Sequence, residues 1–207
     1  MKKYFKHSLI FCFLLLLTLA LPMTTQAAKK PTAKKVKALY NKFMASYYSD
    51  SSWFCTLDIN RDGVKELIAS RPKTKSWDDD IYYIYRVKSN KVTYVGKISV
   101  SGSYGSLNKP KAVYYNRSLK AIRATTTTAV NLTHTLYQLS GGKLKERLTC
   151  SGTYGRYPFY YKSVKGGAPQ YFSSAASYEK FSKKYMEKGC TKKKLVKNTA
   201  RNRKKYL

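Results

Sequence analysis

The sequence IYYIYRVKSNKVTYVGKI at residues 81–98 carries the clearest fold signal in the chain. Two runs rich in tyrosine and β-branched residues, Ile81–Val87 and Val92–Ile98, flank the polar segment Ser89-Asn90-Lys91. Tyrosine, valine and isoleucine favour strands, and a short polar segment between two such runs is typical of a hairpin turn. We therefore predict a β-hairpin here.

The same pattern recurs three times further along the chain. The paired runs are Ala112–Tyr115 with Leu119–Thr126, Leu132–Leu139 with Lys143–Cys150, and Tyr157–Ser163 with Tyr171-Phe172. Repeated hairpins at short spacing indicate an antiparallel β meander. We predict that the meander forms a single curved sheet, or a small barrel or sandwich.

Two stretches have helical spacing, which makes the expected fold class α+β. Large side chains recur at three- and four-residue steps at Val36, Leu39, Tyr40, Phe43, Met44 and Tyr47, and again at Tyr178, Phe181, Tyr185 and Met186. This spacing predicts an N-terminal amphipathic helix and a C-terminal helix. Pro31 and Thr32 suit the start of the first helix, and Gly189 suits the end of the second.

The first residues have the three-part pattern of a secretory signal peptide. Lys2, Lys3 and Lys6 precede the apolar run Leu9–Leu21, and small residues follow at Ala27-Ala28. The run is shorter than the about 20 residues that a membrane-spanning helix needs. We expect cleavage after residue 27 or 28, which leaves no transmembrane segment in a secreted or cell-wall-associated protein.

The expected organisation after the signal peptide (1–27) is a single domain with two basic ends. Residues 28–35 form a basic flexible lead, residues 36–190 the α+β domain, and residues 191–207 a basic tail. The tail is compatible with a short helix, a strand or a mobile arm. We expect a monomer.

Charge is the most unusual feature of the composition. The chain has 41 Lys and Arg residues against 10 Asp and Glu residues, a net charge of +31. Seven of the ten acids lie between positions 50 and 80: Asp50, Asp58, Asp62, Glu66, Asp78, Asp79 and Asp80. Such a charge favours anionic partners, although it can also serve solubility alone. A small acidic zone on a basic body suggests a bound cation.

The segment Asp58-Ile59-Asn60-Arg61-Asp62-Gly63-Val64-Lys65-Glu66-Leu67 has the spacing of a calcium loop. Calcium takes six to eight oxygen ligands. The expected ligands are the side chains of Asp58, Asn60, Asp62 and Glu66 and the carbonyl group of Val64. Gly63 permits the sharp turn, and the Asp78-Asp79-Asp80 run could add a ligand. The alternative is a metal-free hairpin turn, because Asp, Asn and Gly also favour turns.

This loop resembles the calcium loops of FG-GAP and VCBS-type β-repeats. The match covers Asp58, Asn60, Asp62, Gly63, Glu66 and Leu67, whereas Arg61 replaces a glycine that is common there. A single copy excludes a multi-bladed propeller. The whole layout is similar to small secreted proteins of clostridial, gut-type Gram-positive bacteria, a resemblance that implies location and fold but no activity.

Three cysteines remain after signal cleavage: Cys55, Cys150 and Cys190. Cys55 and Cys150 lie in strand-like runs, so we expect any disulfide to join them, with three buried free thiols as the alternative. His134 is the only histidine outside the signal peptide. A catalytic pair would therefore need His134 beside a cysteine, and we expect it instead to be an ordinary strand residue.

The expected function is that of a secreted, non-enzymatic calcium-binding protein for an anionic wall polymer or acidic glycan. An extracellular nucleic-acid-binding protein is the alternative, because Arg156–Lys162 interleaves aromatic rings with cations. A secreted hydrolase is a third option. It has less support, because a glycosidase needs two carboxylates across a cleft and the acids here are mostly in one region.

Overall fold

The computed structural model describes residues 30–71, 80–100, 112–127, 131–153, 159–164 and 167–207, so the expected signal peptide lies outside it. In chain order the elements are α1 (Ala33–Tyr47), β1 (Trp53–Leu57), β2 (Glu66–Ser70), β3 (Asp80–Lys88), β4 (Lys91–Val100), β5 (Ala112–Asn116), β6 (Ala121–Thr127), β7 (Asn131–Ser140), β8 (Lys143–Thr153), β9 (Phe159–Val164), β10 (Gln170–Tyr171), α2 (Ala175–Ser182) with a π-helical turn (Lys183–Glu187), β11 (Cys190–Lys194), β12 (Val196–Lys197) and α3 (Ala200–Tyr206). No helix in these ranges is long and apolar enough to cross a membrane.

The strands form two open sheets in which every pairing is antiparallel. The five-stranded sheet has the order β12-β1-β2-β3-β4, and the seven-stranded sheet has the order β10-β9-β8-β7-β6-β5-β11. The α+β class and the antiparallel meander are therefore confirmed. The sequence left a single sheet, a barrel and a sandwich open, and the described strands form two sheets that share a core.

Three hydrophobic clusters stack these elements in layers. The cluster between the sheets combines side chains of the smaller sheet, such as Ile68 and Ile84, with side chains of the larger sheet, such as Ile122. A second cluster joins α1 to the outer face of the smaller sheet, and a third joins α2 to the outer face of the larger sheet. The order of layers is therefore helix, sheet, sheet, helix.

The hairpin at residues 80–100 forms as the sequence predicts. The turn residues Ser89 and Asn90 have φ values of 48° and 61°. Two consecutive left-handed residues are typical of the type I′ turn, whose twist matches that of the paired strands. Within β4, a Cβ atom on Gly96 would lie 2.6 Å from the Leu144 Cβ atom of the other sheet. Glycine at this position therefore lets the two sheets approach each other.

Helix α1 begins as predicted, but the last residue of its expected apolar stripe is exposed. The Thr32 hydroxyl group accepts a hydrogen bond from the Lys35 amide (3.3 Å) and caps the helix. Tyr47, which we expected on the apolar face, is 68% exposed, whereas Tyr48 is 6% exposed. Because the helix ends at Tyr47, the extended backbone at Tyr48 turns the Tyr48 ring toward the sheet instead. Its hydroxyl group lies 2.8 Å from that of Tyr85.

Residues 190–207 connect the two sheets, because the segment contributes one strand to each. Strand β11 pairs with β5 of the larger sheet, and β12 pairs with β1 of the smaller sheet. Between them Leu195 is buried in the cluster that the sheets share. The sequence left a strand, a helix and a mobile arm open for this segment, and the structure has two strands followed by α3.

Asn198 connects this segment to the end of α1. It is fully buried, and its Nδ2 atom donates to the carbonyl oxygens of Met44 (3.1 Å), Tyr48 (2.7 Å) and Ser49 (3.1 Å). The Met44 carbonyl group also accepts from the Tyr48 amide, whereas carbonyl groups at the very end of a helix have no intrahelical partner, so the Asn198 amide supplies one to Tyr48. The local sequence does not indicate this role of Asn198, because its hydrogen-bond partners lie about 150 residues away in the chain.

The expected disulfide between Cys55 and Cys150 is not formed. All three described cysteines are free thiols. Cys55 lies in the cluster between the sheets, whereas Cys150 lies in the cluster beneath α2. Cys55 projects from the inner face of the smaller sheet, and Cys150 projects from the outer face of the larger sheet. Neighbouring strand residues alternate between faces, so the two thiols are kept apart.

Candidate metal-binding loop and basic surfaces

The Asp58–Glu66 segment connects β1 to β2 and is anchored from two layers. The side chain of Ile59 is fully buried, and the Tyr115 hydroxyl group of the larger sheet donates to the Ile59 carbonyl oxygen (3.0 Å). From α1, the Tyr40 hydroxyl group donates to the Lys65 carbonyl oxygen (3.0 Å). The loop is therefore fixed at both ends.

The polar side chains of the loop turn inward onto its own amides. Asp58 accepts hydrogen bonds from the backbone amides of Asp62 (3.1 Å) and Gly63 (2.9 Å). The Asp62 carboxylate accepts from the Val64 amide (2.8 Å) and from Asn60 Nδ2 (2.9 Å), while Asn60 Oδ1 accepts from the Asp62 amide (3.2 Å). The structure thus brings Asp58, Asn60 and Asp62 together.

Two loop residues have left-handed backbone conformations. Gly63 has a φ of 87°, as expected for the glycine of the turn. Arg61 has a φ of 61°, a region that glycine reaches without the steric cost of a Cβ atom. A glycine would therefore adopt the backbone conformation at position 61 more readily than Arg61 does.

Glu66 is the buried acid of the loop. Its side chain is 1% exposed, and its Oε2 atom accepts a hydrogen bond from the Ile59 amide (2.9 Å). The Oε1 atom is buried and has no hydrogen-bond partner among the described residues. Burial is the largest cause that raises the pKa of this carboxyl group, and together with the charges of Asp62 and Asp58 it brings the pKa to about 7, against the lowering effects of the Ile59 amide and Arg86.

Two cations lie beside the loop. Arg86 NH2 is 3.8 Å from Asp62 Oδ2, and Lys30 Nζ donates to the Asp62 carbonyl oxygen (2.6 Å). In the described part of the chain, no group of three or more His, Cys, Asp and Glu side chains is arranged to hold a metal ion. The expected ligands Asp58, Asp62 and Glu66 are therefore not gathered as such a group, and in this structure their oxygens accept hydrogen bonds from the loop's own amides.

The one described residue of the acidic run at 78–80, Asp80, does not extend this site. Asp78 and Asp79 lie outside the described residues, and Asp80 begins β3. The residue of β3 that pairs with Leu67, next to the loop, is Tyr85. Five residues of strand separate Asp80 from that point, a length of about 17 Å.

Eleven basic side chains lie on three elements that have no acidic residue. Helices α1 and α3 contain no Asp or Glu, and neither does β11. The lysines of β11 are exposed at the edge of the larger sheet: Lys192, Lys193 and Lys194. Lysines on an edge strand also prevent pairing with other strands, so charge there has a structural role as well.

In the described part of the Arg156–Lys162 stretch, Tyr160 and Lys162 face α2. The Tyr160 ring stacks on Tyr178 of α2 (4.9 Å between centroids). Lys162 Nζ lies on the same face, 5.0 Å from the centroid of Phe181. Both side chains are therefore engaged with α2, while residues 154–158 lie outside the described residues.

His134 and Cys150 are direct cross-strand neighbours on β7 and β8. His134 is 5% exposed, and its Nδ1 atom lies 2.9 Å from the Thr125 hydroxyl group. Burial lowers the pKa of His134 to about 4 and raises the pKa of the Cys150 thiol to about 12. A Cys–His nucleophile needs a thiolate beside a basic imidazole, so both shifts oppose that activation.

No protein-family model, curated protein or solved structure matches the chain.

Calcium is expected to stabilise the protein through the loop. About 10 mM calcium is roughly ten- to hundredfold above the Kd of an extracellular module. That excess stabilises the native state by about 1.4–2.7 kcal/mol and raises Tm by about 3–10 °C relative to chelator. Asp62→Asn should abolish this rise, whereas the exposed Asp50→Asn, with the same charge change outside the loop, should retain it. A wild-type melting curve that is the same in calcium and in chelator would contradict the metal site.

His134 is expected to make the protein sensitive to acid. Its pKa is lower in the folded state than the unfolded value of 6.5, so the native state favours the neutral ring. The stabilisation is complete above pH 6.5 and is lost as the pH falls toward about 4, by about 3 kcal/mol at most. The free energy of unfolding can be measured with urea at several pH values in this range. It should fall less with decreasing pH in His134→Gln than in the wild type. Equal pH dependence in the variant and the wild type would refute this role.

Proposed function

We propose that the protein is secreted and binds an anionic cell-envelope polymer or acidic glycan without catalysing a reaction, and that calcium orders its Asp58–Glu66 loop. The observation that carries the proposal is the uncompensated positive charge. The full chain has a net charge of +31. One ion pair joins two described side chains, those of Arg86 and Asp62. A field of this sign attracts polyanions over long distances and accelerates their association.

Calcium is supported by the chemistry of the loop. Asp58, Asn60, Asp62 and the Val64 carbonyl group offer hard oxygen ligands of the kind that calcium prefers. The buried Glu66 Oε1 atom adds an oxygen with no described hydrogen-bond partner. An ionised buried carboxylate is costly without a compensating charge, and a bound cation would supply one. The ion would therefore contribute to the stability of the loop and leave polymer binding to the basic surfaces.

An extracellular nucleic-acid-binding protein is the second candidate. It is favoured by the pair of Tyr161 and Tyr171, whose ring centroids lie 6.2 Å apart. Tyr171 is 70% exposed and offers a ring on which a base could stack. The wall-polymer proposal is preferred, because Tyr160 and Lys162 from the same stretch pack against α2.

Binding to purified cell-wall material should weaken steeply between about 0.05 M and about 0.5 M NaCl, because salt screens exposed charges. Retention on the wall material can be measured by sedimentation. In competition at equal charge, a teichoic-acid-type polymer or an acidic glycan should displace the protein more effectively than DNA. Retention that does not change over this salt range would count against the proposal, and preferential displacement by DNA would favour the second candidate.

A further inference from the structure

A cleft of about 460 Å³ lies between α1 and α3 and is lined by four cationic side chains. Lys34 and Lys37 come from α1, and Arg203 and Lys204 come from α3; Asn41 and two alanines complete the lining. None of the four cations forms an ion pair with a described residue, and no acidic residue lines the cleft. Four like charges on two packed helices repel each other, so an anion in the cleft would relieve that repulsion.

Arg203 is held in place by neutral partners. Its Nε atom donates to Asn41 Oδ1 (3.2 Å), and its NH1 atom donates to the carbonyl oxygen (3.0 Å) and Oδ1 atom (3.1 Å) of Asn198. Since Asn198 is fully buried and bound to the end of α1, the guanidinium group has a fixed position. Its charge is not neutralised by these contacts, so it remains available to a ligand. A cation ordered before binding loses less entropy when the ligand arrives.

Lys37 is oriented in a similar way. Its Nζ atom donates to the Lys204 carbonyl oxygen (2.7 Å), which joins the middle of α1 to the last turn of α3. An ammonium group has three donors, so two remain for a ligand. The cleft therefore contains two cations that the fold positions and two, Lys34 and Lys204, that are exposed and adjustable.

The arrangement of donors favours phosphate over carboxylate. Carboxylates and phosphates are both bound by two parallel hydrogen bonds from one guanidinium fork, but lysine binds phosphate as a point charge without a fork. Both forks of Arg203 include either Nε or NH1, and both atoms already donate to Asn41 and Asn198. What remains is a set of lysine point charges around the guanidinium group, a combination that suits phosphate groups.

The lining also argues against nucleic acid. Proteins that bind single strands combine a basic groove with aromatic rings on which bases stack. No aromatic side chain lines this cleft. We propose that the α1–α3 cleft binds the phosphate groups of an aliphatic phosphodiester polymer, with Arg203 and Lys37 as the fixed contacts. This proposal rests on the proposed function and assigns that function a site.

The test compares two triple variants of the full chain with the same loss of charge. Lys34→Gln/Lys37→Gln/Lys204→Gln removes charge from the cleft, and Lys192→Gln/Lys193→Gln/Lys194→Gln removes it from β11. Binding of fluorescently labelled poly(glycerol phosphate) is measured by anisotropy at fixed ionic strength. We expect the cleft triple to raise Kd roughly tenfold or more, which corresponds to about 1.4 kcal/mol, and the β11 triple to have a much smaller effect.

A pair of single variants on one helix guards against loss of folding. Lys34→Glu lies in the first turn of α1, where the helix dipole favours an acidic residue, so the helix should remain stable. Lys42→Glu is an exposed charge reversal on the same helix outside the cleft. Lys34→Glu should weaken binding strongly and Lys42→Glu weakly, with unchanged circular dichroism in both.

The outcomes separate a failure of the proposed cleft from a failure of the proposed function. Equal weakening by both triples, or by both single variants, would overturn the cleft but leave the proposed function intact, because overall charge would then explain binding. A wild-type protein that binds neither this polymer nor a uronic-acid glycan would overturn the proposed function and the cleft together. Tighter binding of the glycan or of single-stranded DNA would overturn the assignment to aliphatic phosphodiester polymers.

Discussion

The buried carboxyl group of Glu66 is the constraint around which the rest of the site is arranged. One of its oxygens is bound to the Ile59 amide and the other lies buried without a described partner, beside two further acids of the same loop. Removing a carboxylate from water is costly unless a proton or a cation compensates its charge. Arg86 and Lys30 contact the loop at Asp62, and the charge of Arg86 also lowers the pKa of Glu66. A calcium ion among Asp58, Asn60, Asp62 and Glu66 would meet this requirement.

Helix α1 links the acidic loop to the basic surface. Tyr40 binds the loop at the Lys65 carbonyl group, and Asn198 binds the end of the same helix to the segment that leads into α3. Lys37 lies about one turn before Tyr40 on α1 and joins the helix to the last turn of α3. A change in the order of the loop would therefore act on the element that carries half of the cationic cleft.

Local features of this fold could be predicted from the sequence. The turn at Ser89-Asn90, the cap at Thr32 and the bend at Gly63 depend on residues within a few positions of each other, and side-chain chemistry decides them. Strand pairing across the hairpins followed from the runs of tyrosine and β-branched residues on both sides of each short polar turn. The grouping of Asp58, Asn60 and Asp62 also followed from spacing, because a short loop leaves little conformational choice.

Features that depend on distant parts of the chain could not be predicted in this way. The assignment of Cys55 and Cys150 to different clusters requires knowledge of which face of each sheet is covered, and periodicity does not carry that information. The role of Asn198 requires contact with a helix end about 150 residues away.

The most direct test of the calcium site is a calcium titration of metal-free protein by isothermal calorimetry. We predict one ion per chain with a Kd of about 10⁻⁴–10⁻³ M and loss of binding in Glu66→Gln, whereas no binding, or equal binding by Glu66→Gln, would contradict it.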